Sequence, residues 1–126
     1  PPESYDRGHR MKEILQYIQE HFHEDLSIEQ FAGRMNMSAG NFSRVFKEEV
    51  GEKYVEYITR LRLTHAKRLL VETNLTVDEI AERVGYLGRN SFIRVFRKME
   101  GITPGKYREL YQIPNLASGT ENARGR

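Results

Sequence analysis

Two arginines, Arg44 and Arg94, occupy equivalent places in two similar stretches of the chain. If each stretch is helical, residues three or four positions away share a face with the arginine. A guanidinium on such a face can donate two parallel hydrogen bonds to guanine O6 and N7, and an asparagine amide can pair in the same manner with adenine. The same arginine can instead pair with an acid on the next helical turn, and spacing alone leaves that interpretation open. We define the first stripe as Gly40, Ser43, Arg44 and Lys47, and the second stripe as Asn90, Ile93, Arg94 and Arg97.

The two stretches belong to a duplicated segment. Residues 26–51 and 75–101 align without a gap through Met37 and Tyr86, after which one extra residue shifts the offset from 49 to 50. A duplication of this size predicts two copies of one supersecondary element. The apolar residues that recur fit a packing role. The two arginines do not, so function is to be sought in the stripes.

Length and composition exclude several functional classes. The chain has 126 residues, a net charge of +2 and no cysteine, which excludes a disulfide framework and cysteine-based metal or redox sites. No apolar run approaches the length of a membrane span. His21 and His23 are two residues apart and point to different sides of a helix, so no metal site is expected. Because phosphate loops, nucleophile elbows and paired carboxylates are missing too, neither catalytic residues nor a cofactor are expected.

Periodicity and capping patterns predict an all-α fold of about seven helices. Ser27 and Thr76 each open a capping box, and Asn36 and Gly85 suit the tight left-handed turn that follows each short helix. The expected helices are 11–22, 28–35, 39–50, 54–72, 77–84, 89–100 and a last one that begins at Thr103 and Pro104. Buried positions are expected to include Val55 on the long helix and Met99 on the sixth.

These elements predict two helix-turn-helix subdomains joined by a long linker helix. The expected boundaries are 1–10 for a linker or cloning remnant, 11–53 for the first subdomain, 54–72 for the linker helix, 73–112 for the second subdomain and 113–126 for a disordered tail. At about 1.5 Å per residue the linker helix is roughly 27 Å long. That length suits a spacer between recognition helices about one DNA turn, roughly 34 Å, apart.

The stripes predict DNA binding, because the second helix of a helix-turn-helix enters the major groove. From Tyr86 to Lys98 the basic residues meet no acid, which favours a polyanion as partner. The expected base-reading residues are Gly40, Ser43, Arg44, Arg89, Asn90, Ile93 and Arg94, with Ile93 suited to a thymine methyl. The expected phosphate contacts are Ser38, Asn41, Lys47, Arg62, Ser91 and Arg97, which add affinity without sequence information.

Family-specific motifs are densest in the second half of the chain. They are Ala66-Lys67-Arg68-Leu69-Leu70, Ile80-Ala81, Val84-Gly85-Tyr86, Phe92, Val95-Phe96-Arg97-Lys98, Gly101-Ile102-Thr103-Pro104 and Tyr107-Arg108. With these motifs, the chain from about Met11 to Leu110 resembles the DNA-binding domain of AraC-type bacterial transcription regulators. The resemblance implies sequence-specific binding of double-stranded promoter DNA by two recognition helices in successive major-groove segments.

The resemblance also implies partners and a location. AraC-type regulators are most often activators that recruit or reposition RNA polymerase, and they carry a separate sensor or receiver domain. The chain opens at Pro1 without a methionine, which predicts that an N-terminal domain is missing here. A bacterial, cytoplasmic and nucleoid-associated protein is expected, with no membrane partner.

A helical protein-interaction module that has lost DNA binding is the alternative. Glu48 and Glu49 put acid on the first recognition helix, which favours it slightly. Gly40 also favours it, because it presents no side chain where family members often place a larger one. For that reason the first subdomain is expected to read fewer bases than the second.

Overall fold

The computed structural model describes residues 3–114, with side chains from Arg7 onward, and these residues form seven α-helices and no strand. The predicted all-α class is confirmed, and the bounds of the second to seventh helices lie within one residue of the expected ones. The elements are α1 Glu3–His21, α2 Ile28–Arg34, α3 Ala39–Val50, α4 Tyr54–Glu72, α5 Val77–Arg83, α6 Arg89–Glu100 and α7 Pro104–Tyr111. Within the described range no helix combines the length and the apolar content needed to cross a membrane.

The first helix begins earlier than the sequence predicted. Residues 1–10 were expected to be a linker or cloning remnant, whereas α1 already begins at Glu3. Gly8 costs a helix about 1 kcal/mol relative to alanine. Two contacts with other helices help to offset that cost, because Arg7 Nε lies 3.2 Å from a carboxylate oxygen of Glu49, and Arg10 donates to the carbonyl of Arg34 at 3.4 Å. Residues 1–2 lie outside the described part of the chain.

Both capping boxes form as predicted. The Ser27 hydroxyl accepts from the Gln30 backbone N–H, and the Gln30 side chain accepts from the Ser27 N–H. Thr76 and Glu79 make the same reciprocal pair at 3.1 and 2.8 Å. These bonds satisfy backbone donors that the first turn of a helix leaves free, so they fix where α2 and α5 begin.

The chain divides into two compact units, one up to Leu61 and one from Arg62 onward, and α4 contributes residues to both. In the first unit, Ile14 and Ile18 of α1 pack with Phe31 of α2, Phe46 of α3 and Tyr57 of α4. The rings of Phe46 and Tyr57 meet edge to face, with centroids 5.5 Å apart. This packing buries one face of α3 and thereby decides which face remains outside.

The second unit repeats this packing with its own residues. Leu70 of α4, Ile80 of α5 and Phe92 of α6 are fully buried together. Phe96 and Tyr107 meet edge to face at 5.6 Å, as Phe46 and Tyr57 do in the first unit. Since Tyr57 and Tyr107 also differ by 50 positions, the structural repeat runs past the duplicated segment that the sequence revealed.

Two positions that were expected to be buried are exposed. Val55 is 70% exposed, because the inner face of α4 follows Tyr54 and Ile58 instead. Met99 is 51% exposed. The inward face of α6 continues from Phe96 to Glu100, and the Glu100 carboxylate pairs with Lys67 of α4 at 3.2 Å. Met99 therefore lies beside this face and not on it.

The last helix closes the carboxyl end of α4. The Arg108 guanidinium donates to the backbone carbonyls of Leu70 and Thr73, each at 3.0 Å, and so satisfies acceptors that a helix end leaves free. Burial lowers the pKa of Arg108, which remains a cation at ordinary pH. Of the tail predicted at 113–126, residues 115–126 lie outside the described residues.

Candidate nucleic-acid interface

The first stripe lies on the outer face of α3. Asn36, in a left-handed conformation with φ of 55°, turns the chain after α2. The Ser38 hydroxyl then accepts from the Asn41 N–H at 3.1 Å and starts α3. Because Phe42, Val45 and Phe46 face the core, the opposite side of α3 faces solvent. The exposed residues there are Gly40, Ser43, Arg44 and Lys47, as the spacing predicted.

The second stripe lies on the outer face of α6, but the approach to this helix differs. Gly85, with φ of 105°, makes the turn after α5, and Leu87 then stands fully exposed at 107%. Leu87 is the extra residue that shifts the repeat offset, and no role was predicted for it from the sequence. Gly88 occupies the N-cap position without a side-chain hydrogen bond, where α3 has Ser38.

An open groove of about 550 Å³ runs along the second stripe. Ile93 is half-buried in it and the other lining residues are exposed. The lining consists of Asn90, Ile93, Arg94, Arg97 and Lys98. Lys98 was not predicted as a site residue. Its position at the end of an acid-free basic run, residues 86–98, was a signal that could have identified it.

The cations of this groove are not neutralised by nearby acids. Among the side chains of residues 7–114, no carboxylate pairs with Arg94, Arg97 or Lys98. Three positive charges therefore point to solvent from one face of α6. A surface of this kind attracts a polyanion, and the asparagine and arginine at its centre have the donor geometry that base edges accept.

The arginine of the first stripe, unlike Arg94, is bound by neighbouring side chains. Arg44 donates through one terminal nitrogen to both carboxylate oxygens of Glu48, at 3.0 and 3.2 Å. Its other terminal nitrogen donates to the side-chain oxygen of Asn41 at 2.6 Å. Arg44 therefore forms the surface ion pair that the sequence left open. No such ion pair is described for Arg94.

Three further predicted residues lie on α6 and α4 of the second unit. Arg89 lies at the start of α6 with a terminal nitrogen 3.7 Å from Asp78. Ser91 is half-buried on the same helix, so less of its side chain can reach a ligand. The Arg62 guanidinium lies over the ring of Tyr86, 5.2 Å from its centroid, in the turn that leads to α6. In the described range no group of three or more histidines, aspartates or glutamates is arranged to hold a metal ion.

Comparisons with known proteins point to one family. A family model described as a helix-turn-helix domain matches residues 31–110. The C-terminal domain of AraT, a response regulator from Geobacillus stearothermophilus, is 38% identical with a TM-score of 0.77, over 82% of this chain and 87% of that one. The DNA-binding domain of AdpA, a global transcriptional factor solved in complex with a target DNA, is 29% identical with a TM-score of 0.72, over 90% and 96%.

A curated relative extends the comparison. The bifunctional transcriptional activator and DNA repair enzyme AdaA of Bacillus subtilis is 33% identical over 86% of this chain. The match covers 51% of that protein, and another Bacillus subtilis regulator is matched over 12% of its length. The chain thus spans about half or less of the length of these curated relatives.

Proposed function

The chain belongs to the AraC-type family of helix-turn-helix DNA-binding domains of transcription regulators, and we propose that α3 and α6 are the two helices with which it reads double-stranded DNA. The observation that carries this proposal is the outer face of α6. Its stripe combines base-pairing donors, an apolar side chain and unpaired cations in one open groove. The AdpA domain, similar over 90% of this chain, was solved with its target DNA, which supports the same use of the fold here.

Within this proposal the exposed residues divide into two roles. Arg94 and Asn90 read base edges, because their side chains lie at the middle and start of the groove and can make bidentate hydrogen bonds. Arg97 lies about one turn later and contacts phosphate, which positions the helix without reading sequence. In α3 the corresponding roles belong to Arg44 and Lys47. The full base-reading set remains Gly40, Ser43, Arg44, Arg89, Asn90, Ile93 and Arg94.

The whole protein has further partners in this proposal. AdaA is named a transcriptional activator and AraT a response regulator, which supports a sensor or receiver domain elsewhere in the parent protein and recruitment of RNA polymerase. We place the protein in the bacterial cytoplasm, at the nucleoid. We assign this domain no enzymatic activity, since the match to AdaA covers only 51% of that bifunctional protein.

Two matched substitutions on α6 test the assignment of roles. Arg94 and Arg97 are both exposed arginines without a described carboxylate partner, so replacing either with alanine removes the same charge. Selection from a random DNA pool first supplies the preferred site. Arg94→Ala should then bind that site about 10- to 100-fold more weakly and lose its preference at one base pair, whereas Arg97→Ala should weaken all sequences alike and lower the salt slope by about one.

The outcomes separate the proposal from its alternative. If both variants bind selected and random DNA as the wild-type chain does, the two roles are wrong. If the wild-type chain binds no DNA, or binds it without salt dependence, the result contradicts the proposed function and favours the protein-interaction module.

A further inference from the structure

Arg44 is held along the surface of α3 by a residue on either side of it. Asn41, three positions earlier, accepts from one terminal nitrogen at 2.6 Å, and Glu48, four positions later, accepts from the other at 3.0 Å. The guanidinium is thus bound at both ends and lies along the helix axis. Arg44 and Glu48 are each 58% exposed at the side chain, so this arrangement faces the solvent from which DNA would approach.

The equivalent positions of α6 cannot form this arrangement. Ser91 stands where α3 has Asn41, and Lys98 stands where it has Glu48. A lysine repels the guanidinium of Arg94 instead of holding it. The two helices share a repeat, a buried face and a central arginine. They differ in the neighbours of that arginine, which hold it in α3 but not in α6.

We propose that Glu48 and Asn41 are positioning residues that hold Arg44 away from the bases until DNA displaces them. This inference rests on the proposed function, since it concerns the free-energy cost of releasing Arg44 to contact a base. A guanidinium carries five N–H donors, so Glu48 and Asn41 do not occupy all of those on Arg44, but their bonds hold the group along the surface of α3. Turning the Arg44 guanidinium outward to a base edge therefore breaks its ion pair with Glu48, a cost that has no described counterpart at Arg94 and that makes α3 the weaker reader.

A carboxylate on a recognition helix also repels DNA directly, so the experiment must separate two effects of Glu48. If Glu48 acts by holding Arg44, its removal helps only while Arg44 is present. If it acts by repelling phosphates, its removal helps equally with and without Arg44. A double-mutant cycle measures this difference, because the coupling of two substitutions reports the interaction between the two side chains.

The cycle uses Glu48→Gln, Arg44→Ala and the double variant, with affinities measured by fluorescence anisotropy on the selected DNA site at fixed ionic strength. Glu48→Gln should tighten binding about two- to fivefold, in keeping with a solvent-exposed pair, and most of this gain should be lost in the Arg44→Ala background. Glu56→Gln is the matched control, because Glu56 is an exposed acid of the same unit without a described bond to Arg44, and it should change affinity less than Glu48→Gln does. An equal gain in both backgrounds, or weaker binding by Glu48→Gln, overturns the proposal.

A second measurement needs no DNA and tests the arrangement by itself. Guanidinium NMR of the free chain compares how fast the side-chain ends of Arg44 and Arg94 rotate. Arg44 should rotate more slowly than Arg94 in the wild-type chain, and faster in Glu48→Gln than in the wild-type chain. Equal rotation in the wild-type chain contradicts the proposal even if DNA binding is confirmed, whereas slow rotation of Arg44 in a chain that binds no DNA contradicts the proposed function alone.

Discussion

At the scale of single residues, Ser43 and Ile93 mark a chemical difference between the two stripes. They occupy equivalent positions, but Ser43 is exposed and polar whereas Ile93 is a half-buried aliphatic side chain in the α6 groove. A branched aliphatic group in a groove otherwise lined by polar and charged residues fits a thymine methyl better than it fits water. In the proposed mode of binding, we therefore expect the second stripe to recognise an apolar group of a base as well as hydrogen-bonding groups.

This difference predicts a dependence on single methyl groups of the DNA. Replacing each thymine of the selected site in turn by uracil removes one methyl, and one such change should weaken wild-type binding about fourfold, the effect of one buried methyl. In Ile93→Ala that penalty should disappear, whereas Ser43→Ala should keep it. A penalty that persists in Ile93→Ala assigns the contact to another residue.

At the scale of elements, the two recognition helices begin with different caps. Ser38 caps α3 with its hydroxyl, whereas Gly88 leaves α6 without a side-chain cap. Gly88 has φ of −149° and ψ of 161°, an extended conformation open to any residue, and a Cβ built there meets nothing within 4 Å. Neither the backbone nor the surroundings require glycine at this position.

Gly88→Ser is therefore expected to stabilise the fold. It should raise the free energy of unfolding by about 0.5–1 kcal/mol, because serine caps the helix and restricts the unfolded chain. Gly101→Ser is the opposite control, since φ of 85° is left-handed, and it should lower stability by about 1 kcal/mol. Urea unfolding followed by circular dichroism measures both changes. Destabilisation by both substitutions would show that the α6 N-cap needs glycine.

Element boundaries could be predicted from sequence because they depend on local chemistry. Capping boxes at Ser27 and Thr76, and glycines at Gly51 and Gly101, act over a few residues and appear directly in the chain. The predicted burial of Val55 was wrong because periodicity does not show which apolar residue a neighbouring helix will cover. Likewise, the stripes followed from spacing, but the engagement of Arg44 depends on rotamers that spacing does not determine.

At the scale of the whole molecule, each unit has a core of its own and α4 supplies part of both. Tyr54, Tyr57 and Ile58 of α4 belong to the first core, and Leu63 and Leu70 belong to the second. Between these groups α4 remains a continuous helix. If both units bind DNA as proposed, each gains affinity from the other, since binding of the first makes binding of the second intramolecular.

A proline in the middle of α4 tests this coupling. Thr64 is exposed and its side chain belongs to neither core, so Thr64→Pro interrupts α4 without removing a core side chain. Affinity for the complete site should fall about tenfold or more, toward the affinity for the half-site that α6 alone would bind. The control Thr64→Ala should bind as the wild-type chain does. Aromatic NMR signals of Phe42 and Phe92 report whether both cores persist. Full affinity in Thr64→Pro with intact cores would show that a continuous α4 is not needed.

The extra residue, Leu87, determines which alignment offset a chimaera of this domain has to use. Each residue advances about 100° around a helix, so a graft of α6 onto α3 made at the offset of 49 would rotate every side chain by that angle. The copy of Phe92 would then replace exposed Ser43, and the copy of Ser91 would replace buried Phe42. Only a transplant made at the offset of 50 keeps the reading side chains outside, and the inserted leucine must be left behind.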